Sequence, residues 1–218
     1  MIEVTYVNHM GSDLSVVNAA RVSFGKKSDW MMRVHNGEAK VLQHKDSKLI
    51  RFLAKHKHKS PFNHAFATFH VKAPIFVARQ LVKHEYMPWN EISRRYVDDP
   101  PEFFKTDYWR GRAENVKQGS SGEVKSNANV AYQYAKIEGL YKQLLDEGVC
   151  PEQARMILPQ SMMTEWYWSG SLFAFAKMCG LRLKEDTQAE TRIVAEKIED
   201  VMAKLYPVSW EALRMYEE

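Results

Sequence analysis

From Pro74 to Tyr96 the chain reads PIFVARQLVKHEYMPWNEISRRY. Ile75, Ala78 and Val82 recur there at helical spacing, which predicts an amphipathic helix with one packed face. Pro74 suits the first turn, where its missing N–H costs nothing. Pro88 calls for an ending before it, because the residue preceding a proline is pushed out of the α region. Gln80 stands three and four residues before Lys83 and His84, so the three share a neighbouring face. Beyond Pro88, Glu91, Ser93 and Arg95 alternate with Ile92, Arg94 and Tyr96. On an extended backbone the carboxylate, hydroxyl and guanidinium would point to one side. That trio suits a polar ligand with both an anion and hydrogen-bond donors, such as a nucleotide. The same spacing also fits an ordinary solvated face.

The remaining pattern predicts a mixture of strands and helices. Ile2 to Tyr6 reads as a strand, and Asp13 to Arg21 as a helix capped by Asp13. Lys26 to Lys48 is polar and reads mostly as loop, followed by a helix over Leu49–Lys55. Phe66 to Val71 has the aromatic and β-branched make-up of a strand. Arg110 to Asn127, with Gly119-Ser120-Ser121-Gly122 near its centre, reads as a mobile loop. Ala128 to Leu145 is helical, with a stripe of Val130, Tyr134, Ile137, Tyr141 and Leu144. Ser169-Gly170-Ser171 is a start signal for a helix holding Leu172, Phe175, Ala176 and Cys179. Ala189 to Leu205 closes the fold, its stripe of Val194, Ile198, Val201, Met202 and Leu205 packing on the core. Helices and strands without regular βαβ alternation predict the α+β class, with a central mixed or antiparallel sheet flanked by helices.

Composition narrows the class without choosing a function. A chain of 218 residues, 45% hydrophobic and 27% charged, fits one domain spanning 1–218. A net charge of +4 suits anionic small ligands about as well as nucleic acid. The two cysteines, Cys150 and Cys179, have no disulfide, metal or redox spacing and fit a reducing compartment. No signal-peptide pattern opens the chain, so the expected location is the cytoplasm, or a host's cytoplasm if the chain is viral. The apolar run from Met162 to Leu181 is interrupted by Glu165, Gly170 and Lys177 and reads as buried structure, not a membrane span.

Several blocks resemble one family. Lys83-His84-Glu85, seven residues, then Ser93, with Asn90-Glu91-Ile92-Ser93-Arg94-Arg95-Tyr96 in its second half, resembles the R-H-R-x7-S signature of the flavin-dependent thymidylate synthases, the ThyX family. Met10 to Phe24 and Lys55 to Gln80 are similar to earlier blocks of that family. Lys117 to Ser120, Ala154 to Pro159, and Leu181-Arg182 with Gln188 and Glu190 resemble later ones. The resemblance runs in order along most of the chain.

It implies methylation of dUMP at C5 to dTMP, with methylenetetrahydrofolate as carbon donor and NADPH-reduced FAD as hydride source. It also implies a homotetramer whose sites draw on several subunits, with no membrane or nucleic-acid partner. The family's dUMP contacts carry over to Gln80, Glu91, Ser93, Arg94, Arg95, Arg155 and Arg182. Guanidiniums suit the phosphate through paired charge-assisted hydrogen bonds. The arginine matching Arg182 stabilises charge developing on the uracil. Arg182, Ser93 and His58 are the implied catalytic residues. No histidine base is a sequence neighbour of Ser93, so it reads as a nucleotide contact, not a nucleophile.

The implied FAD set is Ser23, His58, Ser60, Asn63, Lys83, His84, Glu85, Asn90, Ser171 and Lys177. Here the chain departs from the family. Lys83 and Glu85 replace the two signature arginines, Asn63 replaces a glutamate, and Lys177 replaces an asparagine. Ser171-Leu172-Phe173-Ala174-Phe175 replaces N-A-R-S-L, and Asp186 stands where a histidine is expected. This concentration on one ligand predicts retained nucleotide binding with altered flavin affinity, geometry or redox timing. One alternative within the chemistry is a different product, such as hydroxymethyl-dUMP. Others are a metal hydrolase using the histidines around Lys55–Lys59 with His64 and His70, and a basic nucleic-acid-binding module.

Overall fold

The computed structural model describes residues 1–34, 38–114 and 119–216. Lys117 and Gln118, part of one family-like block, lie outside them. A four-stranded antiparallel sheet runs in the order β1 (Glu3–Met10), β4 (Phe66–Pro74), β8 (Met163–Ser171), β5 (Trp89–Glu91). Its period-2 alternation is sharp. Ala67, Phe69, Val71 and Ala73 of β4 are buried and pair with Gly170, Trp168, Trp166 and Thr164 of β8. The opposite face carries Thr68, His70 and Lys72 across from Ser169, Tyr167 and Glu165, all partly or fully exposed.

Helices cover only the apolar face. They are α1 (Asp13–Arg21), α2 (His44–Lys55), α3 (Ile75–Leu81), α6 (Leu172–Arg182), α7 (Ala189–Leu205) and α8 (Pro207–Met215). Phe175 of α6 meets Phe69 and Trp168 edge-on at ring-centroid distances of 5.1 and 5.4 Å. Trp89 stacks on Trp166 at 4.3 Å, which ties the short edge strand β5 to the core. Gly170 lets Met87 and Phe175 pack close to β8: a Cβ there would lie 2.8 Å from the Met87 methyl and 3.2 Å from the Phe175 ring, so the Met87 side chain would have to move.

The helix predictions hold best where burial is one-sided. α7 spans Ala189–Leu205 as expected, with Val194, Ile198 and Met202 buried. α6 starts after Ser171, whose hydroxyl accepts the Ala174 N–H at 3.1 Å. Asp13 does not cap its own helix. Ser12 is the N-cap, and the buried Asp13 carboxylate accepts the N–H groups of Val208 and Ser209, capping α8 instead.

Other segments differ from the sequence reading. Lys26–Lys48 is not mainly loop: it holds the hairpin β2 (Met31–Val34) and β3 (Glu38–Val41) and the start of α2. Arg110–Asn127 likewise holds most of a hairpin, β6 (Trp109–Arg112) and β7 (Ser120–Val124). Neither hairpin shows a buried/exposed alternation that could mark it: adjacent Met31 and Met32 of β2 are both about half exposed, and β6 and β7 are exposed or only partly buried throughout. The helix α4 (Val130–Asp146) buries only Tyr141 of its stripe, and a short α5 (Pro151–Ala154) follows it. Pro74 ends β4 and is the N-cap of α3, which stops at Leu81 and packs through Val77, Ala78 and Leu81, leaving Val82 exposed.

Candidate active site

A cavity of about 1270 Å³ is bounded by α3, the end of α6, the start of α7, the first turn of α4 and the β6–β7 hairpin. Gln80 stands at its inner wall. Its amide donates to Gln188 Oε1 at 2.6 Å, while its Oε1 accepts the Thr191 hydroxyl at 3.1 Å. Arg182 reaches the same place from the end of α6. Its Nη2 donates to the Gln80 carbonyl at 2.8 Å, and its Nε donates to His84 Nε2 at 3.0 Å. Burial, then the charges of Arg182 and Lys177, push the His84 pKa down to about 4. The ring is therefore neutral near pH 7 and able to accept that hydrogen bond.

A second ion pair braces the cavity. Arg110 Nη2 lies 2.6 and 2.7 Å from the two carboxylate oxygens of Glu190, and its Nε donates to Ser120 at 3.0 Å. Burial alone would raise the Glu190 carboxyl. The Arg110 hydrogen bond and charge, with hydrogen bonds from its own backbone and Gln188, outweigh burial and hold it below its ordinary value. Sequence reasoning missed Arg110 and Thr191. Each is marked only by a partner far along the chain: Glu190 lies 80 residues from Arg110, and Gln80 lies 111 residues from Thr191.

The other predicted nucleotide residues lie elsewhere on the same chain. Glu91, Arg94 and Arg155 line a smaller cavity of about 310 Å³ with Thr164. The Glu91 carboxylate accepts from Thr164 Oγ1 at 2.6 Å and from Trp89 Nε1 at 3.1 Å. Arg94 donates to the Asp99 carbonyl, and Arg155 Nε to the Glu152 carbonyl at 3.3 Å. The predicted extended run ends at Glu91. Ser93 to Tyr96 is a turn, with the N–H groups of Tyr96 and Val97 on the Ser93 carbonyl. Ser93, Arg95 and Glu91 therefore do not form one side of a strand. Arg95 instead folds back, donating to the Ser93 and Tyr96 hydroxyls.

The predicted flavin residues are also divided. Asn63 Oδ1 accepts from Ser171 Oγ at 2.7 Å at the N-terminus of α6, whereas His84 meets Arg182 at its other end. The 11 residues of α6 put those points about 16 Å apart. Ser23, His58, Ser60, Glu85, Asn90 and Lys177 are exposed. His58 and His56 gather around Phe52 with ring centroids 6.0 and 4.3 Å from it. Among the described residues no group of three or more His, Cys, Asp or Glu side chains is placed to hold a metal ion.

Comparison with known proteins supplies the class. The family model described as thymidylate synthase complementing protein matches residues 5–208. A flavin-dependent thymidylate synthase of Thermus thermophilus is 38% identical, covering 96% of this chain and 74% of its own length. The chain belongs to the flavin-dependent thymidylate synthase family. A relative of that name from Thermotoga neapolitana is 36% identical over 98% of this chain and 91% of its own. A solved structure is also similar, titled a UMP/dUMP methylase, PolB, from Streptomyces cacaoi bound with 5-Br dUMP. It superposes with a TM-score of 0.81 at 30% identity, covering 99% of this chain and 96% of that one.

For a flavin-dependent thymidylate synthase the cavity chemistry fits phosphate-bearing ligands, FAD included. Arg79, Lys83, Lys105, Arg110, Arg182 and Lys184 line it against Asp186 and Glu190, and Glu190 already pairs with Arg110. Burial pushes the Cys179 thiol well above its ordinary value, which makes it a poor nucleophile. Cys150 is exposed before Pro151. Neither cysteine stands at the large cavity.

Proposed function

We propose that this chain methylates dUMP at C5 to give dTMP, taking the carbon from methylenetetrahydrofolate and the hydride from NADPH by way of FAD. The single observation that carries this is membership of the flavin-dependent thymidylate synthase family, with a cationic cavity walled by Gln80 and Arg182. When bound, FAD supplies the redox chemistry of the reaction. The protein's own part is binding, orientation and charge. Arg182 presents guanidinium N–H groups to the uracil, where they stabilise negative charge as C5 becomes nucleophilic. Gln80, held by Gln188 and Thr191, has one amide N–H and one oxygen lone pair left for the base. Arg94, Arg95 and Arg155 offer cations to the nucleotide phosphate, with Ser93 and Glu91 beside them. His58, Ser60, Asn63 and Lys83, with Ser171 and Lys177, are the residues we assign to FAD.

The split of the nucleotide set between two cavities on one chain supports assembly into a homotetramer, one subunit supplying Gln80 and Arg182 and another supplying Glu91, Arg94 and Arg155. An apolar cluster running from Ile2 to Ala212 among the described residues supports reading 1–218 as one domain. No helix among the described residues is long and apolar enough to cross a membrane. A cytoplasmic site of action accords with that and with the nucleotide substrate.

The test is a spectrum of the purified protein followed by product analysis. A flavin absorbance that bleaches with NADPH and recovers on adding dUMP and methylenetetrahydrofolate, with dTMP as the product mass, is expected. UMP belongs in a parallel reaction, because the similar solved protein is named for both nucleotides. A hydroxymethyl product, or a protein that purifies without flavin and leaves dUMP unchanged, would overturn the reading.

A further inference from the structure

Arg182 is restrained by two acceptors that both come from the C-terminal side of α3. The Gln80 carbonyl is among the last four of that helix, which have no intrahelical partner, so it is a natural seat for a cation. His84 Nε2, just beyond the helix, takes the Nε–H. Nε and Nη2 form one edge of the planar guanidinium, and both are occupied by these bonds. The other edge, Nη1 with the second hydrogen of Nη2, is left for a ligand in the cavity that Arg182 lines. We infer that His84 is the positioning residue for Arg182, its imidazole fixing which edge of the guanidinium faces the nucleotide. The inference rests on the proposal that Arg182 meets the uracil of dUMP.

The environment of His84 supports this role. An imidazolium would offer Nε2 as a second donor facing the Nε–H, with two like charges 3.0 Å apart. The groups around the ring enforce neutrality. Burial, Arg182 and Lys177 all disfavour the charged form, and the indole of Trp168 lies 6.4 Å away, centroid to centroid. Acceptance at Nε2 also sets the tautomer, leaving the proton on Nδ1. Lys83 and Glu85, on either side in sequence, are exposed and carry none of this geometry. His84 thus acts through Arg182.

The test combines a substitution pair with a readout that does not depend on turnover. In flavin-loaded protein, His84→Ala should lower kcat for dUMP about 10- to 100-fold, in line with the cost of a misplaced contact. Flavin absorbance per chain should stay at the wild-type level. His84→Gln, which keeps an acceptor at similar reach, should recover most of the loss. In an Arg182→Lys background, His84→Ala should cost less than about twofold more, since the partner is already gone. Independently, the Arg182 Nε–H resonance, assigned by its absence in Arg182→Lys, should exchange slowly in the wild type and in His84→Gln and rapidly in His84→Ala. A kcat loss that merely tracks lost flavin, a full loss repeated in the Arg182→Lys background, or an Nε–H indifferent to His84→Ala overturns the inference. A slow, His84-dependent Nε–H in a protein that does not methylate dUMP would uphold the positioning and overturn only the functional reading it rests on.

Discussion

The Gln80 amide donates to Gln188 Oε1 over 2.6 Å and so joins the last turn of α3 to the N-cap of α7 across 108 residues of chain. Thr191, wholly buried one turn into α7, completes the clamp from the other side of the same amide. The clamp decides which N–H and which lone pair of Gln80 face the cavity.

Loosening it should therefore weaken nucleotide binding before it weakens the fold. Thr191→Val keeps the shape but leaves Gln80 Oε1 without that donor, a loss of about 1 kcal/mol. Calorimetric titration with dUMP should show affinity lower by about fivefold. Gln80→Leu removes the whole contact and should cost more than Thr191→Val. Unchanged dUMP affinity in both variants would remove Gln80 from the nucleotide set.

Arg110 and Glu190 pair with one partner mostly buried, so their removal should be asymmetric. Arg110→Ala leaves the Glu190 carboxylate in the wall of the cavity without its cation and should cost about 3 kcal/mol in chemical denaturation. The double change Arg110→Ala with Glu190→Gln should recover much of that, since an amide is cheaper to bury than an unpaired charge. Equal destabilisation in the single and double variants would mean that the hairpin contact, not the stranded charge, carries the energy.

Asp13 accepts from Val208 and Ser209 at 3.0 and 2.8 Å, so its substitution is expected to act at the far end of the chain. Asp13→Ala should destabilise the protein by about 1–2 kcal/mol, in the range of a lost helix cap. Hydrogen exchange should quicken at the start of α8 more than in α1. Faster exchange confined to α1 would contradict the assignment.

His84 gives a pH dependence whose sign follows from its depressed pKa. Folded, its pKa is about 4, against an ordinary value of 6.5. Between those values the unfolded chain takes up a proton that the folded chain refuses, so stability falls as pH drops from about 6.5 toward about 4 and levels off below. Denaturant titrations at pH 7 and pH 5 should show a smaller decrease for His84→Gln than for the wild type. Parallel decreases would show that His84 is not the group titrating.

The catalytic class was legible in sequence because it rests on linear motifs. Asn90 to Tyr96, Ala154 to Pro159 and Leu181-Arg182 stand in the family's order whatever the fold does with them, and the family match over residues 5–208 agrees. The site's connectivity was not legible. Arg110 sits in a polar stretch whose hairpin has exposed faces, so no periodicity marks it, and its partner Glu190 lies 80 residues away. Ser93 and Arg95 show the opposite failure: alternating residue types suggested a strand, but a local turn closed by Ser93 won.

The sequence by itself determined those elements whose burial is one-sided and whose signals are local. The stripe of α7, the Ser171 start of α6 and the strand from Phe66 follow from residues within a few positions of one another, where side-chain spacing and backbone capping act directly. Only the tertiary structure decided which long-range partners those elements bring together. It turned Asp13 from the cap of its own helix into the cap of α8, set Gln80 between Gln188 and Thr191, and aimed Arg182 through His84 and the Gln80 carbonyl. The physical reason is range. Propensity and capping act over a turn or two, whereas a hydrogen bond spanning a hundred residues exists only after the apolar faces have packed and chosen which polar groups meet.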